Sequence, residues 1–202
     1  MYTPVAINAT TLTEYALRPF ATGPSALDRV LSLARRLADG APVLVLARRG
    51  GPKLPAMPEG VRLVTRDTWT MGQGLSDMAS LVSAADSEQY PRGLPILYLQ
   101  GDSPFSDLEL CERLLSIHKR FRAEYTFADG YPPGFAAEVL SSRCLPNLVE
   151  LAARDDTASD SGTAGGIERE ALFALIQKDM NAYDVETELA PIDMRVYRFS
   201  PT

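Results

Sequence analysis

Three stretches of this chain carry residue types that do chemistry. The first, Leu94 to Asp107, reads Leu-Pro-Ile-Leu-Tyr-Leu-Gln-Gly-Asp-Ser-Pro-Phe-Ser-Asp. Its apolar run, Ile96 to Leu99, is short and unbroken, as in a strand buried on both faces. It stops at Gly101, and an acid, Asp102, follows at once. A carboxylate just past the carboxyl end of a central strand lies where open α/β sheets bind ligands. One such acid suffices to anchor Mg²⁺, which completes its shell with water and phosphate oxygens. A strand–helix turn also places an acid there without any ligand, so both readings stand at this point. The second stretch is Tyr131-Pro132-Pro133-Gly134-Phe135-Ala136-Ala137-Glu138. Glu138 falls within an apolar segment, Phe135 to Leu140, where a buried carboxylate is costly unless paired or bound to ligand. An edge strand with Glu138 facing water is the alternative. The third, Ile167-Glu168-Arg169-Glu170, opens a helix, and acids there are ordinary complements to the helix dipole.

The remaining reactive types read as packing. His118 shares a helical face with Cys111, Leu114, Leu115 and Phe121, so it is expected to be a packed helix residue, and Cys111 a core one. Trp69 sits in a loop where it either stacks on a ligand or packs. Arg48-Arg49-Gly50-Gly51 attracts anions only weakly, because no helix follows it in the glycine-rich phosphate-cradle pattern.

The elements that position these residues follow from hydrophobic period. Pro4–Ala9, Val43–Leu46 and Val61–Thr65 read as strands. Leu27, Val30, Leu31, Ala34, Leu37 and Ala38 form the stripe of an amphipathic helix, capped by Ser25 with Asp28 and ended by Asp39-Gly40. Gly74–Asp86 carries a second helical stripe. Ser106 with Glu109 forms a Ser-x-x-Glu capping box for a helix running to about Phe121, which leaves Asp107 one residue inside it. The order β-α-β-β-α-β-α is that of a nucleotide-binding α/β half with parallel strands. Beyond it we expect strands at Glu124–Ala128 and Phe135–Leu140, a short helix at Leu145–Ala153 and a polar mobile loop at Arg154–Gly166. A helix at Ile167–Lys178 and a last strand at Arg195–Phe199 complete the chain.

Composition bounds the function classes. At 202 residues, with 46% hydrophobic and 23% charged residues, the chain is long enough for a real core and is neither disordered nor membrane-spanning. A net charge of -6 opposes non-specific binding to nucleic acid or anionic lipid. Two cysteines cannot make a disulfide framework or a four-ligand zinc site, and a cytoplasmic location is expected.

Taken together, four segments resemble the cytidylyltransferases, the nucleotidyltransferases of GT-A type fold that include spore-coat polysaccharide proteins and CMP-sugar synthetases. Gly101-Asp102-Ser103-Pro104-Phe105-Ser106-Asp107 is similar to that family's Gly-Asp-x-Pro-Leu-x-Asp segment. Ala123-Glu124-Tyr125 stands where its Ala-Asp-Tyr strand follows. Tyr131-Pro132-Pro133-Gly134 with Glu138-Val139 resembles its Tyr-Pro-x-Gly-x-x-x-Glu-Val segment, and Arg169-Glu170-Ala171 partly matches Arg-Glu-His. The order holds from about residue 94 to 180. The resemblance implies a GT-A-like, Rossmann-like three-layer α/β fold with a mixed, mostly parallel sheet, as one domain over 1–202. It implies a CTP-like nucleotide or sugar-nucleotide as ligand, with Mg²⁺ as cofactor. It assigns Asp102 and Glu138 to catalysis, Asn8, Arg18, Gly23 and Arg169 to the nucleotide, and Asp102 and Asp193 to the metal. A homodimer is left open.

The departures bear on activity. The family's triphosphate-gripping Lys falls on Pro24, the loop Asn8–Thr22 offers only Arg18, and its His falls on Ala171. The expectation is a kept fold with lost or weakened transfer; an active cytidylyltransferase making a CMP-sugar is the alternative. A narrower resemblance links Asn8-Ala9-Thr10, Gly23–Val30 and Pro191–Phe199 to the N-terminal region of spirochaete radical-SAM/SPASM proteins. It implies a structural or partner-recognition module preceding a C-terminal catalytic domain that holds the cluster.

Overall fold

The computed structural model describes residues 2–21, 23–83, 86, 93–158 and 165–197, the side chains of 155–158 excepted. Its order is β1 (Val5–Ala9), α1 (Ala26–Ala38), β2 (Val43–Arg48), β3 (Val61–Arg66), α2 (Met71–Ala79), β4 (Pro95–Gln100), α3 (Leu108–Phe121), β5 (Tyr125–Asp129), β6 (Glu138–Ser141), α4 (Leu145–Ala158), α5 (Ala171–Gln177) and β7 (Val185–Leu189). The strands form one sheet in the order β3-β2-β1-β4-β6-β5-β7. β3, β2, β1 and β4 run parallel, β6 is antiparallel to both β4 and β5, and β7 is parallel to β5. This is the mixed, mostly parallel α/β sheet expected.

Successive residues of a strand point to opposite faces, and both faces here are covered. Val5, Ile7, Val45, Leu97 and Leu99 pack with α1 and α3. Ala6, Leu44, Leu46, Ile96 and Tyr98 pack with α2, α4 and α5. That explains why β1, β2 and β4 read as continuous apolar runs rather than alternating ones. The expected cap of α1 is present: Ser25 Oγ accepts from the Asp28 amide and the Asp28 carboxylate accepts from the Ser25 amide. The helix ends on Asp39, which adopts φ 48.

Several boundaries differ from expectation. Asp107, not Ser106, caps α3: its Oδ1 accepts from the Leu110 amide at 2.8 Å. Ser106 belongs to the turn before, where its amide bonds the Ser103 carbonyl and its hydroxyl reaches the Gly134 carbonyl at 2.8 Å. β6 starts only at Glu138, because Phe135 turns back to bond Pro132 and offers its carbonyl to the Asp107 amide. α2 begins at Met71, earlier than Gly74, under a Thr70–Gln73 capping box and closes at Ala79; positions 84 and 85 of the expected helix lie outside the described residues. α4 runs to Ala158, so the expected loop starts later, and its positions 159–164 lie outside the described residues. Residues 167–170 precede α5 rather than joining it. Residues 195–197 are not a strand, and 198–199 lie outside the described residues. The last strand is Val185–Leu189.

Candidate functional site

The carboxyl ends of β1 and β4 lie side by side, with Asn8 opposite Gln100 in the parallel register. Over them passes the segment 165–170, and it is fastened by polar contacts. Asn8 Nδ2 donates to the Ile167 carbonyl at 2.8 Å and to Gln100 Oε1 at 3.0 Å. Asn8 Oδ1 accepts from the Thr10 amide at 3.1 Å and from its hydroxyl at 2.8 Å. The Ile167 amide in turn donates to Thr10 Oγ1 at 2.7 Å, and Gln100 Nε2 donates to the Arg169 carbonyl at 3.2 Å. Close approach makes the fit possible. A Cβ on Gly74 would come within 2.7 Å of Ile167 Cδ1, and one on Gly166 within 2.9 Å of the Thr10 carbonyl oxygen. Glycine at these two positions lets the segment reach the sheet.

Arg169, at the end of this segment, meets the acid at the end of β4. Its guanidinium donates to Asp102 Oδ1 through one nitrogen and to Ser103 Oγ, at 2.8 Å, through another. The two side chains of the ion pair are 27% and 30% exposed. Asp102 and Arg169 are thus brought together, but as partners of each other.

Next to this closed crevice, on the same face of the sheet, lies a cleft of about 320 Å³. Its lining includes Tyr98, Tyr125, Phe127, Glu138, Arg169 and Phe173. Sheet register builds it. Glu138 lies directly opposite Tyr98 in the antiparallel β4–β6 pair, so the two side chains leave the same face. Tyr125 donates its phenolic hydrogen to Glu138 Oε1. Burial raises the Glu138 carboxyl from the usual range to about 7; the Tyr125 bond and the charge of Arg169 work against that rise, and Glu170 adds to it. The Tyr98 hydroxyl is buried and makes no direct hydrogen bond among the described residues, while the Gln100 side chain lies close enough to work against the rise of its pKa. Burial also pushes the Tyr98 phenol strongly upward, so it stays a donor. Phe127 and Phe173 form the aromatic side of the cleft, with ring centroids 4.9 Å apart, and Tyr125 stacks on Phe127 at 5.5 Å.

The other expected residues lie apart from this centre. Arg18 is exposed, over the Tyr15 ring at 4.7 Å and 3.9 Å from Glu14. The Gly23 amide closes a tight turn on the Phe20 carbonyl at 3.1 Å. Asp193 accepts from Arg195 through both carboxylate oxygens, at 2.9 and 2.7 Å, and those hydrogen bonds hold it down at about 2. Arg195, which also reaches Asp129 at 3.4 Å, forms the far rim of the cleft. His118 and Cys111 are core residues as expected: His118 Nδ1 lies 2.9 Å from Thr126 Oγ1, and burial pulls its imidazole down to about 4. Trp69 is packing too, donating to the Ala47 carbonyl at 2.8 Å. Tyr98, Phe127 and Phe173 read as apolar filling in the sequence, yet all three line the cleft. Alternation along β4 from Gln100 back to Tyr98 was the signal that set Tyr98 on the site's face.

A divalent cation held through Asp102 and Asp193 finds both carboxylates already committed to guanidinium groups. Among the described residues no group of three or more His, Cys, Asp and Glu is placed to hold a metal ion. The residues present do not fit the ion in this arrangement.

The sheet order, the antiparallel β6 and the strand-end crevice define the chain's class: it has the cytidylyltransferase-like nucleotidyltransferase fold. A cytidylyltransferase from Leptospira borgpetersenii serovar Hardjo-bovis (strain JB197) superposes with a TM-score of 0.63 at 16% identity, covering 100% of this chain and 80% of that one. Rv0371c of Mycobacterium tuberculosis H37Rv, in a complex with manganese, gives 0.60 at 15% identity over 96% and 94% of the two chains. A CMP:2-keto-3-deoxy-manno-octonic acid synthetase complexed with CTP gives 0.58 at 15% identity over 94% and 90%. In sequence, a Treponema pallidum (strain Nichols) protein described only as uncharacterized is 39% identical over 56 residues, 28% of this chain and 26% of that protein. No protein-family model matches the chain. Among the described residues no helix is long and apolar enough to cross a membrane.

Proposed function

We propose that this chain is a small-molecule-binding domain of nucleotidyltransferase fold that binds a nucleotide or sugar-nucleotide without transferring it. The observation that carries the reading is the contrast at the ends of β1 and β4. The crevice there is crossed by residues 165–170, and its acid is paired with Arg169, while the adjoining cleft presents Glu138 and Tyr98. Nucleotidyl transfer needs cations gathered around a triphosphate while the reactants are positioned. Pro24 stands where a Lys would grip that triphosphate, and Arg18 is spent on Tyr15 and Glu14 at the surface. The cleft is the size of a small-ligand site and combines an apolar wall with a few convergent polar groups, the usual make-up of such sites.

Calorimetric titration with CTP, CDP and CDP- or CMP-sugars, each with Mg²⁺ and with EDTA, tests it. The expected result is saturable binding of at least one sugar-nucleotide, unchanged by EDTA, and no pyrophosphate released from CTP with a panel of sugars and sugar acids. Pyrophosphate release would establish the active cytidylyltransferase instead. Absence of binding by every compound in the panel overturns the reading.

A further inference from the structure

Resting on the reading of the cleft as the ligand site, we propose that the part of the ligand it holds is an organic cation: an amine-bearing polyol, such as an amino sugar, with its ammonium between Glu138 and the Phe127–Phe173 wall and an oxygen on the Tyr98 hydroxyl. The first support is the charge balance around the cavity. Three carboxylates, Asp129, Glu138 and Glu170, and two guanidinium groups, Arg169 and Arg195, line it. Both guanidinium groups are already spent, Arg169 on Asp102 and Arg195 on Asp193 and Asp129. Among the described residues Glu138 and Glu170 form no ion pair, and an ammonium beside the buried Glu138, whose carboxyl is raised to about 7, draws it into the charged form. A phosphate placed there meets like charge; an ammonium meets its complement.

The second support is aromatic. The Phe127 and Phe173 rings, 4.9 Å apart and inclined by 53°, together with Tyr125 stacked on Phe127, give the cleft wall a set of electron-rich π surfaces. Such surfaces attract ammonium groups, and more strongly where water is excluded. The third is the Tyr98 hydroxyl. It is buried, lines the cavity and has no hydrogen-bond partner among the described residues. A buried donor in that condition is costly, and a ligand oxygen accepting from it recovers the cost. Tyr98 and Glu138 come from facing positions of β4 and β6, so one ligand carrying adjacent oxygen and nitrogen groups reaches both. A cavity of about 320 Å³ has room for one hexose-sized ring.

The test is an NMR and calorimetric titration of the full chain with glucosamine, choline, N-acetylglucosamine, glucose and MgCl₂, alongside the sugar-nucleotides above. Glucosamine is expected to bind about tenfold or more tighter than glucose and N-acetylglucosamine, with choline between them. Glu138→Gln is expected to lower glucosamine affinity about tenfold and leave glucose unchanged, and Phe173→Leu to weaken glucosamine and choline alike. The shape-preserving Glu138→Gln variant guards against loss of fold, checked by its circular dichroism spectrum. If neutral sugars bind as tightly as glucosamine, or if Mg²⁺ displaces it, the proposal falls. Sugar-nucleotide binding with no preference for an amine overturns the cation and leaves the function intact. Failure of every compound to bind overturns both.

Discussion

Two neighbouring places on one face of the sheet solve the same problem in opposite ways. At the ends of β1 and β4, polar groups buried beneath residues 165–170 find partners within the chain. The Asn8 amide makes four hydrogen bonds, to Gln100, Ile167 and Thr10, and is 2% exposed. In the adjoining cleft the polar groups are under-satisfied: Glu138 has its single Tyr125 bond and a raised pKa, and the Tyr98 hydroxyl has none among the described residues. A satisfied network contributes rigidity and stability. An under-satisfied one costs stability that a ligand can return. The crevice is therefore read as structure and the cleft as function, although fold alone would suggest the reverse.

The largest effect separating the two is expected from Asn8→Leu. It strands the Ile167 carbonyl, the Thr10 amide and Gln100 in a dry site, and should cost about 2 to 4 kcal/mol in urea unfolding. A loss below about 1 kcal/mol would erase the distinction. Glu138→Gln should act in the other direction and with pH. The folded carboxyl titrates at about 7 against an ordinary 4.5, so the native state holds the extra proton between those values. Stability then falls as pH rises from about 4.5 through 7, and the full penalty is present above 7. Burial sets this rise; the hydrogen bond from Tyr125 on β5 and the charge of Arg169 oppose it, and the charge of Glu170, like Arg169 just before α5, adds to it. The Gln variant should be more stable than wild type by about 2 kcal/mol at pH 8 and equal to it at pH 4; thermal melts across that range read the difference. A flat difference would place Glu138 in water. Tyr98→Phe removes an unpartnered hydroxyl at constant shape, and its melting should stay within about 1 kcal/mol of wild type or rise. A clear loss would mean that the hydroxyl is satisfied. Smallest of all, Arg195→Ala removes ion pairs between side chains that are 60% and 57% exposed, and should shift stability by no more than about 0.5 kcal/mol.

The sheet was legible where burial leaves a pattern. The unbroken runs in β1, β2 and β4 and the stripe of α1 with its Ser25–Asp28 box sit where the sequence places them. β7 escaped although Val185-Glu186-Thr187-Glu188-Leu189 alternates with period two, because its two glutamates diluted the apolar signal and the following Arg195–Phe199 run drew the assignment. Asp102, Glu138 and Arg169 were visible as an acid past a strand, an acid in an apolar segment and an Arg before a helix. What no local pattern holds is their pairing. That Arg169 reaches Asp102 across 67 positions, and that Glu138 faces Tyr98, follows from strand order and register. The cap of α3 fell one residue late for a similar reason. Both Ser106 and Asp107 are good caps, and the Gly134 carbonyl, distant in sequence, claims the serine hydroxyl.

The hydrogen bond from Asn8 to the Ile167 carbonyl joins positions 159 apart, nearly the full described chain. Loop closure over that distance adds little to the final cost, since the entropy grows only with the logarithm of length, about 0.6 kcal/mol per doubling. Its effect falls on the order of events instead. β1 pairs with β2 across a short stretch of chain, whereas the partner of its last polar side chain lies 159 positions away. The expected order is an open crevice first, sealed afterwards by residues 165–170. A refolding experiment with pulsed hydrogen exchange should show the Ile167 amide protected after those of Val45 and Leu97.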